Sequence, residues 1–240
     1  MKHSTKIVLT FSLGMNMTGL VAMLPYWRVS EALKANPERS ITQIFSQELL
    51  IASQSGQLNT MQELIEIGAD VNFQGADGTT ALHNALLNRH LGCVQCLINA
   101  KANINLADGE GITPLHCATS RNDGASMNLL IEKNAFIAAC DNDGQTSMHV
   151  AVEQGYSDGL QLLLDNNFGP ETTLCIDKAN ANGETPLHYA ADLGDEQCLK
   201  ILLAAKANVN LRAASGKTPF ELAFDRDNAL CMILLCLQQH

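Results

Sequence analysis

Four histidines, His83, His116, His149 and His188, share one register, the first three 33 residues apart and the fourth 39 further on. Imidazoles in series could ligate a metal or relay protons. The spacing argues against both uses, because units one period apart in a stacked array lie about 10 Å from each other, far beyond the ~2.0 to 2.1 Å of zinc ligands. Cys93 and Cys96 form a C-x-x-C pair, but no second pair follows and both fall on an expected helix. His116 beside Cys117 is no nucleophile–base pair, since helix neighbours point about 100° apart. Gly216-Lys217-Thr218 imitates the tail of a phosphate loop. Leu211 stands where its leading Gly should be, however, and Pro219 suits a turn better. No catalytic constellation, metal site or cofactor is expected.

The elements that must carry these residues are repeats. Thr-Pro-Leu-His occupies 113–116 and 185–188, with degenerate copies at 80–83, 146–149 and 218–221, where Glu221 takes the His place. Each copy marks a turn entering a short helix. Gly111 supplies a positive φ, Thr113 is a helix N-cap and Pro114 fits the first helical position. Leu115 and Ala118 form the apolar side of this helix, and Met127, Leu130 and Ile131 that of a second. Gly78, Gly111, Gly144, Gly183 and Gly216 hold one turn position, and Ala85, Ala118, Ala151, Ala190 and Ala223 one helix position. Two such short helices cannot stand alone, so stability must come from stacking neighbours.

This pattern closely resembles the ankyrin repeat over residues 46–240. The resemblance implies an all-α solenoid of stacked helix pairs with hairpin-like turns. Six repeats are placed at about 46–73, 74–106, 107–139, 140–177, 178–210 and 211–240, the first and last as caps. Residues 1–45 form a separate N-terminal segment, in which Ser30–Ser46 read as a short helix and a turn. The long step between repeats 4 and 5 places an insertion at Asn166–Leu174, either a partner contact or a tolerated bulge. The His residues are expected to hydrogen-bond between repeats. Asn72, Asn105 and Asn210, in Asp70-Val71-Asn72, Asn103-Ile104-Asn105 and Asn208-Val209-Asn210, resemble ankyrin asparagines that an oxygenase hydroxylates; they are also ordinary hairpin residues.

The resemblance further implies a concave face made of turn tips and first helices. Of the residues it collects there, those expected to bind are Asp77, Leu87, Glu110, Ile112, Arg121, Asp143, Gln145, Glu153, Glu184, Asp192, Leu193, Lys217, Phe224 and Asp225. Seven are acids, two are bases, and Leu87, Ile112, Leu193 and Phe224 are apolar anchors. The expected function is a non-enzymatic protein-binding module, an adaptor, scaffold or effector, whose partner carries a basic patch.

Composition agrees with that class. A net charge of -10 disfavours nucleic acid, which needs clustered Lys and Arg, and no small-molecule substrate is expected. Aromatic residues are only 5% of the chain, as suits thin helices packed through Leu, Ile, Val and Ala. Eight cysteines at mostly apolar positions read as reduced thiols, pointing to a cytoplasm, whether the cell's own or that of a host into which the protein is delivered. Residues 7–27 carry no charge and come after Lys2 and Lys6, as in a signal peptide or anchor. Asn16, Gly14 and Gly19 dilute the segment, and Leu20-Val21-Ala22 is a poor cleavage site. The alternatives are a helix capping the first repeat, or a membrane-anchored or exported protein at an envelope. Leu24-Pro25 is similar to the start of an F-box, but Trp27 stands where an acid is expected.

Overall fold

The computed structural model describes residues 40–166 and 175–238. Twelve helices among them form six antiparallel pairs: α1 Ile41–Gln54 with α2 Leu58–Glu66, α3 Ala81–Leu87 with α4 Leu91–Asn99, and α5 Pro114–Ser120 with α6 Gly124–Glu132. The other three are α7 Ser147–Glu153 with α8 Ser157–Asp165, α9 Pro186–Leu193 with α10 Glu196–Ala204, and α11 Pro219–Asp225 with α12 Ala229–Cys236. The first helices stack on one another in one layer and the second helices in a parallel layer behind them. The fold is an all-α solenoid.

The core lies between the layers and repeats with them. Ala85, Ala118, Ala151, Ala190 and Ala223 are completely buried, and so are Leu97, Leu130, Leu163, Leu202 and Leu235 on the second helices. The small side chain lets neighbouring first helices approach, while the leucine fills the space behind. Each first helix after α1 opens on a Thr N-cap, and Pro114, Pro186 and Pro219 occupy the opening turn without forfeiting a donor.

Between units the chain forms fingers. Gly78, Gly111, Gly144, Gly183 and Gly216 all have φ between +77° and +81° apart from Gly183 at +72°. Gly78 shows why no side chain fits there: a Cβ would lie 2.4 Å from the backbone nitrogen of Gly109 in the next finger. Adjacent fingers are joined by single backbone bonds, Gly109 N to Asp77 O (2.9 Å), Asn142 N to Glu110 O (3.0 Å), Ala181 N to Asp143 O (2.8 Å) and Ala214 N to Asn182 O (2.8 Å).

Some expectations need adjustment. α1 begins at Ile41, so a boundary at 46 cuts through a helix, and no turn separates residues 41–46 from the array. Ser40 and Gln43 cap it reciprocally, and Ile44 and Phe45 are buried. Asn72 and Asn105 serve the framework: their Oδ1 atoms accept the backbone N–H of Asn103 (2.7 Å) and Phe136 (2.8 Å), one repeat further on. Residues 1–39 lie outside the described residues, as does the insertion beyond Asn166 up to Leu174; so both readings of residues 7–27 and of the insertion do too.

Candidate interaction surface

The four repeated histidines act as joints between units. His83, His116, His149 and His188 are buried, and Nε2 of each faces a backbone carbonyl in the next repeat: Ile112 (2.9 Å), Gln145 (3.2 Å), Glu184 (3.0 Å) and Lys217 (3.3 Å). A carbonyl only accepts, so Nε2 carries the proton. Nδ1 then accepts the backbone N–H of the N-cap threonine three residues earlier, at 3.1–3.2 Å from Thr80, Thr113, Thr146 and Thr185. Both ring nitrogens are engaged, which leaves none of the four free to ligate a metal or act as a base. Burial pushes all four below the ordinary imidazole value, His149 to about 4.

Burial makes several of the cysteines poor nucleophiles. None of the eight is joined in a disulfide. Burial raises Cys93 and Cys96, and it pushes Cys117 and Cys198 up to about 12. Among the described residues no group of His, Cys, Asp and Glu could hold a metal ion. Lys217 and Thr218 belong to a finger and a helix cap, with Thr218 Oγ1 accepting from Glu221 N.

Ile112, Gln145, Glu184 and Lys217, whose carbonyls the histidines hold, are four of the residues expected on the binding face. A second contact holds three of them: Asp108 Oδ1 accepts from Ile112 N (2.9 Å), Asp141 Oδ1 from Gln145 N (2.8 Å) and Asn180 Oδ1 from Glu184 N (3.0 Å). The same oxygens accept from Glu110, Asp143 and Asn182, so the finger tips are braced from within. Asp77, Glu110 and Asp143 stand exposed at successive tips, one per repeat, and Glu153 and Arg121 are exposed at the ends of their first helices.

Repeats 4 and 5 converge. Glu153, Glu184, Asp192 and Leu193 line one hollow of about 250 Å³ together with His188 and Tyr189. The repeat register does not single out Tyr189. It stands directly after the His of the motif, its hydroxyl accepts from Asn180 Nδ2 (3.1 Å), and its ring stands edge-on to His149. Lys217, Phe224 and Asp225 line a second, more open hollow of about 500 Å³ with Ser215, Gly216, Phe220 and Glu221.

The expected balance of seven acids against two bases changes once ion pairs are counted. Arg226, absent from the expected face, spans a repeat to grip Asp192 with Nε (2.8 Å) and Nη2 (3.1 Å). Lys217 pairs with Asp225. These contacts neutralise Asp192 and Asp225. Asp77, Glu110, Asp143, Glu153 and Glu184 make no ion pair among the described residues, and Arg121 is the one expected base that makes none. The hydrogen bonds from Thr79 hold Asp77 below the usual carboxylate range, so it stays charged. Among the apolar anchors, Leu193 (55% exposed) and Phe224 (64%) offer surface, whereas Leu87 and Ile112 are half-buried against the core. Packing thus claims part of the apolar area that the register assigns to binding.

A solenoid of stacked helix pairs with a row of braced finger tips is a repeat scaffold. A family model for ankyrin repeats matches residues 49–139, 100–174 and 169–240. The chain belongs to the ankyrin-repeat family. A chain in the structure of a predatory endopeptidase from Bdellovibrio bacteriovorus in complex with an immunity protein is 26% identical, with a TM-score of 0.70 over 79% of this chain and 96% of that one. An ankyrin repeat domain from Acinetobacter baumannii AYE shares the fold at 22% identity and a TM-score of 0.72, over 80% of this chain and 97% of that one. Ankyrin arrays are protein-interaction modules and in general not enzymes. No helix among the described residues is long and apolar enough to cross a membrane.

Proposed function

We propose that this chain is a non-enzymatic adaptor, scaffold or effector module that captures a protein through the acidic concave face of repeats 2–5, and that the captured surface is basic. The observation that carries this reading is the hollow between repeats 4 and 5, where Glu153 and Glu184 stand without an ion pair beside Tyr189 and the exposed Leu193. Such a site suits a Lys or Arg side chain, whose apolar stem lies on Tyr189 and Leu193 while its charge meets the carboxylates. Asp143 and Glu110, one and two fingers away, extend the negative potential toward repeat 2. The Bdellovibrio structure supports the class, since there a chain of this fold stands in a complex between an enzyme and an immunity protein. Residues 7–27 decide whether the module works in a cytoplasm or tethered at an envelope.

Reversing two charges tests the reading. Glu153→Lys with Glu184→Lys should lower capture of the natural partner from cell extract by tenfold or more, because like charges then face each other. Wild-type capture should fall steeply between low and physiological salt. Equal capture by the two proteins, with the same salt dependence, overturns the proposal.

A further inference from the structure

The last helix breaks a pattern that the other repeats keep. On the outer side of the second helices three positions face solvent in every repeat from 2 to 6. They hold Gly92, Gln95 and Asn99 in α4, Ala125, Asn128 and Glu132 in α6, Asp158, Gln161 and Asp165 in α8, and Gln197, Lys200 and Ala204 in α10. In α12 and at the residue that caps its end they are Leu230, Ile233 and Leu237, exposed at 54%, 55% and 68%. Spacings of three and seven residues put all three on one stripe. Stacking of repeats does not cover these positions, since repeats 2–5 leave them open although each has a neighbour on both sides. Among the described residues, nothing within the array covers the stripe.

We infer that this stripe is a self-association surface on which a second copy of the chain packs, α12 against α12, about a two-fold axis. Charge restricts where two copies can meet. The chain carries -10 overall, so two copies repel each other across most orientations. From Ala229 to the end of the sequence no residue is acidic or basic apart from His240, and a charge-free stripe lets like-charged copies approach. An apolar stripe is also self-complementary, as an isologous contact requires. The basic partner proposed for the concave face finds no counter-charge on α12. Three half-exposed aliphatic side chains offer on the order of 300 Å² per copy, well under the roughly 800 Å² per partner of a tight interface. The dimer is therefore weak and exchanging. It sets two arrays back to back, with both concave faces turned outward.

Sedimentation equilibrium on the full chain tests this from about 5 to 500 μM. The weight-average mass should climb from 25.9 kDa toward twice that value. In the triple variant Leu230→Gln, Ile233→Lys, Leu237→Ala, which copies the residues of α10 at the same three places, it should stay at 25.9 kDa throughout. Because those residues already occupy this position in repeat 5, the variant is expected to fold, and an unchanged circular dichroism spectrum and melt verify it. A wild-type mass flat to 500 μM, or a folded variant that associates equally well, overturns the proposal. The Glu153→Lys, Glu184→Lys protein should still dimerise, so failure on one surface is distinguishable from failure on the other.

Discussion

Each of the buried histidines must stay neutral to do its work. Nε2–H donates to the next repeat, and Nδ1 accepts from a threonine amide, so a second ring proton would meet a donor and place a charge in the core. Their depressed values fix the sign of the pH response: the unfolded chain binds protons that the folded array refuses, and stability rises with pH across that window. The contribution is complete above about pH 6.5. It is lost as the pH falls from there toward about 4, the value for His149. Urea unfolding between pH 7.5 and pH 4.5 should show a falling midpoint. His149→Ala should cost roughly 2 to 4 kcal/mol at pH 7.5, by leaving the Glu184 carbonyl and the Thr146 amide without partners. It should also flatten part of that pH dependence. A midpoint independent of pH in the wild type would refute this role for the histidines.

At the scale of elements, tight contact between first helices dominates. Ala151 is completely buried between α5 and α9, so Ala151→Leu should overpack the stack and lower stability by ~1 to 3 kcal/mol in a thermal or urea melt. This layer is legible from sequence: Thr, Pro and Gly each have one local job, and their 33-residue recurrence multiplies a weak signal. α1 is less legible, because Ser40 and Gln43 occur once and its first unit has no Thr-Pro signature. A serine with a glutamine three residues later is the available clue. The face is legible in part. The register names Glu153, Glu184, Asp192 and Leu193, which do meet around one hollow. It misses Arg226 and Tyr189, because a side chain reaching across repeats depends on the stacking distance and rotamer, which no single repeat encodes.

At the scale of the whole array, charge is distributed unevenly along the described fingers and first helices. Arg226 and Lys217 neutralise Asp192 and Asp225, and the unpaired acids occupy repeats 2–5. On the proposed function, Arg226→Ala frees Asp192 beside Glu153 and Glu184. Capture of the basic partner should then tighten a few-fold, with a steeper salt dependence read by titration at two ionic strengths; weaker capture would count against that placement of the site. The histidine bond also bears on how such a protein diverges. It ends on a main-chain oxygen, so it fixes where a finger lies and is indifferent to the side chain mounted there. The four residues so held are Ile112, Gln145, Glu184 and Lys217: an aliphatic group, an amide, an anion and a cation. Mutation can therefore rewrite the chemistry these fingers present while the joints between repeats stay intact, which lets one lineage of arrays change its surface without first surrendering its fold.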